Sequence, residues 1–274
     1  MKNIDQELDN QSENNAKPHI GLFATCLVDL VRPSIGFATV ELLKAAGCKI
    51  TVPELQTCCG QPAYNAGDND AARQLAHQMI KEFENFDYVI VPSGSCGGMI
   101  KHHYVKLCAN DPVWLPRAEV LSNKTFELTQ FLDLKKDQLK TSKKIDKTIT
   151  YHDSCAGLRE MGIKQQPRDL LNRINQVQLI EGVEAETCCG FGGLFCVKYP
   201  EISTQMTDAK IDDLISTGAE MVVGGDLGCL MTIAGRLKRR KIDIEVRHVA
   251  EVLTNMMDIP PIADVLKQRK SRDS

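Results

Sequence analysis

Short apolar runs alternate along the chain with longer segments whose apolar positions follow helical spacing. The apolar runs predict strands at residues 19–24, 48–52, 87–91, 148–152, 178–180 and 220–223. The other segments predict helices at residues 34–46, 68–83, 167–174 and 206–215, and after residues 96 and 229. Two further apolar segments, residues 124–132 and 245–253, hold matching places later in the chain. Strands that alternate with helices predict an α/β fold with parallel sheets covered by helices.

The same order of elements occurs twice. We therefore predict two pseudo-repeated halves, residues 18–132 and 148–264, each a small parallel sheet with flanking helices. Residues 133–147 are polar and rich in lysine, and they are predicted to be a linker between the halves. Residues 1–17 and 265–274 are polar and are predicted to be tails, the first of them disordered because it lacks hydrophobic periodicity.

The repeat is strongest in the cysteines. Thr-Cys-Cys-Gly occurs at residues 57–60 and again at residues 187–190. A cysteine precedes the pair by 32 positions in the first copy and 33 in the second, and another follows by 37 and 40 positions. Eight of the eleven cysteines therefore form two matched sets: Cys26, Cys58, Cys59 and Cys96 in the first, and Cys155, Cys188, Cys189 and Cys229 in the second. Each of them follows a predicted strand, and the carboxyl ends of parallel strands share one edge of a sheet, so we expect each set to converge there.

Composition narrows the class of protein. A chain of 274 residues with 43% hydrophobic residues can bury a substantial core, and a net charge of -3 argues against a nucleic-acid binder. No apolar run reaches the length of a membrane span, and the N-terminal segment lacks the apolar core of a signal peptide, so we predict a cytoplasmic protein without direct membrane insertion. In a reducing cytosol, patterned cysteines more often bind metal or carry out redox chemistry than form disulfides.

Four thiolates at one edge can hold a zinc ion or an iron–sulfur cluster. Structural zinc usually uses ligands two to four residues apart, and the chain has no Cys-x-x-Cys. Adjacent cysteines point in different directions, which a cluster with several irons accommodates more easily than a single ion does. Glycines around the motifs are expected to adopt positive φ and turn amide N–H groups toward sulfur: Gly94, Gly97, Gly98, Gly190, Gly192, Gly193 and Gly228. Helix N-termini just after Cys96 and Cys229 would favour thiolates there.

The remaining candidates have simpler interpretations. Cys48, Cys108 and Cys196 have no counterpart in the other half, so inert packing is the favoured interpretation for them. His152 lies at the end of a predicted strand, near the second set. Placement near a metal and a hydrogen bond to the backbone are both open for it, and we expect the latter.

The motifs are similar to those of a known family. The matching sequence motifs are TCCGQPA at residues 57–63, YHDSC at residues 151–155 and CCGFGG at residues 188–193. The similarity runs from about Ile20 to Leu253. The chain resembles the cysteine-rich CCG-domain iron–sulfur proteins. That family includes the B subunit of heterodisulfide reductase, the iron–sulfur subunit of glycolate oxidase and the lactate-utilisation proteins. The lactate-utilisation proteins share most of these sequence motifs.

The resemblance implies an iron–sulfur electron-transfer subunit of a multi-subunit complex that oxidises L-lactate to pyruvate, an oxidoreductase subunit without turnover of its own. All eight matched cysteines would ligate one or two 4Fe–4S clusters, or zinc in one of the sites. The implied partners are a ferredoxin-like iron–sulfur subunit and a further lactate-utilisation subunit. In the heterodisulfide reductase relatives each motif ends in a fifth cysteine, and here Met99 and Thr232 stand at those places. This difference argues against a non-cubane cluster and against disulfide cleavage.

Three alternatives remain open at this point. The chain could be a zinc-stabilised scaffold subunit of the same kind of complex. It could be a redox subunit like that of glycolate oxidase or heterodisulfide reductase. It could also be a dithiol protein in which Cys58 forms a labile disulfide with Cys59 or Cys26, since strained disulfides are readily reduced.

Overall fold

Two four-stranded parallel sheets, one in each half of the chain, form the framework of the protein. The computed structural model describes residues 17–139 and 144–264. The strands of these residues are β1 (His19–Leu22), β2 (Lys49–Thr51), β3 (Tyr88–Val91), β4 (Thr125–Glu127), β5 (Lys144–His152), β6 (Asn175–Leu179), β7 (Met221–Gly224) and β8 (Glu245–His248). The strand order is β2-β1-β3-β4 in the first sheet and β6-β5-β7-β8 in the second, with every neighbouring pair parallel. The predicted α/β fold with two repeated halves is confirmed.

Helices connect the strands and cover the sheets. In the first half they are α1 (Cys26–Val31), α2 (Pro33–Ala45), α3 (Gln61–Ala66), α4 (Asn69–Phe83), α5 (Gly94–Gly98), α6 (Tyr104–Leu107), α7 (Trp114–Asn123) and α8 (Leu128–Leu134). In the second half they are α9 (Cys155–Arg159), α10 (Gln165–Asn172), α11 (Phe195–Lys198), α12 (Pro200–Ser216), α13 (Leu227–Arg239) and α14 (Val249–Thr254). A π-helical turn (Met99–His103) joins α5 to α6. Among these elements no helix is both long and apolar enough to cross a lipid bilayer.

Strand burial follows the hydrophobic pattern. The central strands β1 and β3 have fully buried apolar side chains, including Ile20 and Ile90, whereas Lys49 and Thr51 on the edge strand β2 are exposed. Because both faces of a central parallel strand are covered, its sequence is a continuous apolar run. One cluster of buried side chains runs through both halves, from Ile20 and Ile90 of the first to Val222 of the second.

Several element boundaries differ from the prediction. The apolar segments 124–132 and 245–253 each divide into a strand and a helix. The Glu127 carboxylate accepts hydrogen bonds from the first backbone N–H groups of α8, and the His248 side chain caps α14 in the same way. Such capping ends a strand and begins a helix without any break in hydrophobicity. At the junction of the halves, α8 ends at Leu134 and β5 begins at Lys144, so both extend into the predicted linker 133–147. The predicted tails lie outside the described residues, apart from Lys17.

Helices of the first half pack against helices of the second half. Helix α2 of the first half packs on α14 of the second, and α8 of the first packs on α10 of the second. The first of these contacts contains a buried ion pair, Arg32 Nε to Glu251 Oε1 at 2.7 Å. At the centre, α5 and α9 approach so closely that a Cβ built on Gly94 would lie 2.6 Å from Gly157 Cα.

Candidate metal centres

The first set of cysteines, here called site 1, lies at the carboxyl edge of the first sheet. Cys26 is the first residue of α1, directly after β1, and Thr25 caps that helix by accepting a hydrogen bond from Val28 N at 3.3 Å. Cys58 and Cys59 lie in the loop between β2 and α3, and Cys96 lies in the first turn of α5, after β3. Three strand ends thus deliver the four thiols of site 1 to one place.

The four side chains of site 1 form a continuous chain of sulfur contacts. The Cys26 and Cys59 thiols both donate hydrogen bonds to the Cys58 sulfur. The Sγ atoms of Cys59 and Cys96 are 3.5 Å apart. Cys59 is buried, while the other three side chains are only half-buried, so the site is open to solvent on one side.

The second set, site 2, repeats this arrangement at the carboxyl edge of the second sheet. Cys155 begins α9 after β5, with Ser154 Oγ accepting a hydrogen bond from Gly157 N at 3.2 Å as the cap. Hydrogen bonds link Cys155 to Cys188, Cys188 to Cys189, and Cys189 to Cys229 of α13. The structure therefore brings together every member of both predicted sets.

The sulfur contacts shift the pKa values of neighbouring cysteines in opposite directions. Hydrogen bonds from Cys26 and Cys59 lower the pKa of Cys58 far below its usual range, and those from Cys155 and Cys189 do the same to the pKa of Cys188. The same contacts, together with burial, raise the pKa of Cys26 and of Cys155. Four thiolates this close together require a cation to compensate their charge, and metal binding releases the protons.

The glycine of each Cys-Cys-Gly motif adopts the conformation that the motif needs. Gly60 has φ of 86° and Gly190 has φ of 83°, and Gly190 N donates to Cys188 Sγ at 3.4 Å. Gly192 and Gly193 also have positive φ, as predicted. The prediction of positive φ was wrong for a second group, all of which lie within helices: Gly94, Gly97, Gly98 and Gly228. These glycines permit close packing instead, since a Cβ on Gly228 would lie 2.3 Å from the Phe191 ring.

Side chains of neighbouring helices fix both Cys-Cys loops. Tyr104 Oη donates to the carbonyl oxygen of Cys59 at 2.9 Å, and Thr207 Oγ1 donates to that of Cys189 at 2.8 Å. In the second half, the buried Lys210 Nζ also donates to the carbonyl oxygens of Glu184 and Ala185, at 2.7 and 2.9 Å. The two loops are therefore held by equivalent backbone atoms but by different side chains.

His152 differs from our expectation. Its side chain is buried, and neither ring nitrogen has a hydrogen-bond partner among the described residues, so the predicted bond to the backbone is wrong. A ring nitrogen of His152 and the Sγ atoms of Cys189 and Cys229 all lie within 4.8 Å of one another. Burial lowers the pKa of His152 to about 4, which keeps the imidazole neutral. The signal available in the sequence was the position of His152, three residues before a matched cysteine.

The unmatched cysteines are not members of the two chains of sulfur contacts. Cys48 is buried in a hydrophobic cluster that also contains Cys189 and Cys229, and Cys108 is buried in one that also contains Cys59. Cys196 donates to the carbonyl oxygen of Gly193 at 3.1 Å. Nothing in these surroundings assigns them to a site.

The donor chemistry of both sites fits a metal centre. Each offers four sulfur atoms linked by a chain of pairwise contacts at the edge of a rigid sheet, and soft thiolate donors select zinc and iron–sulfur clusters among common metal groups. The sites also face the boundary between the halves, because α5, which contains Cys96, packs against α9, which contains Cys155. Site residues from both sheets are therefore positioned by the same interface.

Comparison with known protein families agrees with this architecture. The model of the cysteine-rich domain termed CCG matches residues 20–101 and 149–234, and each matched segment contains one complete set of four cysteines. The chain belongs to this family of cysteine-rich CCG-domain proteins, which confirms the resemblance noted in the sequence.

Several of its relatives have the same name, lactate utilization protein A. The chain is 46% identical over 238 residues to lactate utilization protein A of an Exiguobacterium species, an alignment that covers 86% of this chain and 97% of the relative. It is 43% identical over 239 residues to lactate utilization protein A of Macrococcus caseolyticus, covering 87% and 97%. Among solved structures, a hypothetical protein from Helicobacter pylori shares the fold, with a TM-score of 0.59 and 14% identity. That alignment covers 91% of this chain and 51% of the other, so the chain spans about half the length of that structure.

Proposed function

We propose that this chain is an iron–sulfur electron-transfer subunit of a multi-subunit system that oxidises L-lactate to pyruvate. The observation that carries the proposal is the pair of four-sulfur sites, each assembled from three strand ends of one sheet. The lactate substrate is supported by relatives called lactate utilization protein A. The family resemblance adds a ferredoxin-like iron–sulfur subunit and a further lactate-utilisation subunit as partners.

In this proposal Cys26, Cys58, Cys59 and Cys96 hold one centre, and Cys155, Cys188, Cys189 and Cys229 hold the other. A bound 4Fe–4S cluster would supply one-electron storage. The protein's part is to hold the sulfur ligands, to direct the amide N–H groups of the Cys-Cys-Gly loops toward them, and to limit water on the buried side. The half-buried cysteines leave the opposite side open, where a partner subunit can approach.

A second candidate is a zinc-stabilised scaffold in the same kind of complex. It is supported by site 2, where an imidazole and two thiols lie within 4.8 Å of one another, because zinc commonly takes mixed cysteine and histidine ligands. In this form the chain would hold partner subunits together without a redox role of its own.

Metal analysis of anaerobically purified protein tests the proposal. We expect visible absorbance of thiolate-bound clusters and about four irons for each filled site, with matching sulfide. Stoichiometric zinc without colour would instead support the scaffold. A metal-free, colourless protein that resists reconstitution with iron and sulfide would contradict both.

Paired cysteine variants connect metal to function. The double variant Cys58→Ser with Cys59→Ser is expected to lose the iron of site 1 and to abolish lactate-dependent growth. Cys196→Ser is the matched control, because Cys196 belongs to neither matched set and serine can still donate to the Gly193 carbonyl oxygen. If the double variant kept both its full iron content and growth on lactate, the proposal would be wrong.

A further inference from the structure

The environment of His152 is unusual for a buried histidine. It ends β5 with 1% of its surface exposed, and both Nδ1 and Nε2 are without a hydrogen-bond partner in the described part of the chain. A buried polar group without a partner costs free energy, so such a group in a native fold points to a bound ligand or ion. The groups that the ring does approach are the thiols of Cys189 and Cys229.

The charged neighbours of His152 are engaged elsewhere. Asp153 accepts hydrogen bonds from Arg168 and Lys164, at 2.8 to 3.0 Å. Asp226 accepts from Ser93 Oγ and Ser95 N across the boundary between the halves, at 3.1 and 3.0 Å.

Lys210 is the remaining charged neighbour outside site 2. Its Nζ donates to two backbone carbonyl oxygens and lies 3.6 Å from Asp213. These three neighbours have other partners, and the fourth group that acts on the imidazole, Cys188, belongs to site 2 itself.

Within residues 17–139 and 144–264, site 1 has no equivalent donor. The matching position, three residues before Cys26, is Phe23, which is fully buried and packs on Phe83 with ring centroids 5.7 Å apart. Each site therefore has four cysteines of its own, but the fifth side chain beside them is Phe23 at site 1 and His152 at site 2.

We propose that His152 coordinates the metal centre of site 2 through a ring nitrogen, so that site 2 has a mixed sulfur–nitrogen donor set and site 1 a set of sulfur alone. This inference rests on the proposed function, since it requires a metal centre in site 2. A neutral imidazole places less negative charge on a centre than a thiolate does, and histidine ligation raises the potential of iron–sulfur centres. Site 2 is therefore expected to have the higher reduction potential and to be reduced first.

Pulsed electron paramagnetic resonance with isotope labelling tests this directly. The protein with Cys58→Ser and Cys59→Ser is reconstituted with iron and sulfide, so that only site 2 is filled, and is brought to its paramagnetic state. We expect the strong nitrogen coupling of a directly bound imidazole, and we expect this coupling to change when the protein is made with ¹⁵N-histidine. No substitution at His152 is needed for this measurement, so the result does not depend on how such a variant folds.

Two variants assign the coupling to one residue. His152→Phe copies the residue of site 1 and is expected to remove the coupling and to lower the reduction potential of site 2. His248→Asn is the matched control, because His248 is another buried histidine at a strand end of the same half. Asparagine can replace its capping role at α14. This control should leave the coupling unchanged.

The outcomes separate this inference from the proposed function. Site 2 could hold an iron–sulfur centre whose nitrogen coupling is weak or does not change with the ¹⁵N-histidine label. That result would overturn the role of His152 and leave the proposed function standing. Failure of both sites to take up iron would overturn the proposed function itself. If site 2 takes zinc, X-ray absorption decides the same question: one nitrogen at about 2.0 Å beside sulfur at about 2.3 Å supports His152 as a ligand, and sulfur alone overturns it.

Discussion

Replacing Gly94 with alanine tests whether the contact between the halves sets the geometry of both sites. Gly94 begins α5 and faces Gly157 of α9, and Cys96 and Cys155 lie in the same two short helices. A Cβ on Gly94 would lie 2.6 Å from Gly157 Cα and 2.8 Å from Gly157 N. Both neighbours are backbone atoms, so the overlap is relieved only when a helix moves and takes its cysteine with it.

The size of the effect follows from two opposing contributions. Overpacking of a close contact costs about 1–3 kcal/mol, and the rigid backbone on the other side of this contact places it toward the upper end. Alanine regains at most about 1 kcal/mol over glycine in helix propensity. We therefore expect Gly94→Ala to lower the free energy of unfolding by about 1–2 kcal/mol and to lower the iron content of both sites.

Urea unfolding of the metal-free protein and iron analysis of the reconstituted protein measure the two effects separately. Gly235→Ala in α13 is the matched control, because a Cβ there meets no atom within 4 Å. It should raise the free energy of unfolding by up to about 1 kcal/mol and leave iron unchanged. If Gly94→Ala were as stable as the parent protein and held full iron, the close contact would not position the sites.

Two further predictions concern buried charges at the same boundary. Burial raises the pKa of Glu127 to about 7, and the Asp226 carboxylate adds to the shift. The folded state thus favours the protonated form of Glu127. The contribution of this form to the free energy of unfolding is complete below pH about 4.5 and is lost as the pH rises to about 7. Over that pH range the free energy of unfolding should fall by roughly 3 kcal/mol more in the parent protein than in Glu127→Gln. If urea titrations gave the same pH dependence for both proteins, the raised pKa of Glu127 would be contradicted. Separately, Glu251→Gln leaves the buried Arg32 without its counter-charge and should cost about 3–5 kcal/mol. Asp70→Asn, in an exposed ion pair, should cost no more than about 1 kcal/mol, and similar losses in both variants would refute the role of burial.

Much of the fold could be predicted because parallel sheets produce continuous apolar runs. The runs at Ile20 and Ile90 predict the central strands, and the cysteines that follow them predict a shared edge. The short helices α1 and α9 were missed, because one or two turns contain too few residues to establish a helical period. The division of residues 124–132 and 245–253 was missed for a related reason: the capping residues Glu127 and His248 change the backbone without changing the hydrophobic pattern.

The site was predicted to the level of its eight cysteines and not beyond. Spacing grouped them correctly because the two halves repeat the same connections. The close packing of Gly94, Gly98 and Gly228 depends on which helix or loop lies opposite each of them, and that is decided by long-range packing. The position of His152 inside site 2 has the same origin, since the strand end alone does not say which direction its ring faces.

The assembly of each site from one whole sheet links metal binding to folding. The thiols of site 1 come from positions up to 70 residues apart (Cys26 to Cys96), so an unfolded chain cannot present them together. A metal that binds only the folded state stabilises it in proportion to its affinity and concentration. Because α5 and α9 pack against each other, a metal bound in site 1 would hold one side of the contact on which Cys155 depends. Loading of one site should therefore favour the geometry of the other, and the boundary between the halves is the physical route of that coupling.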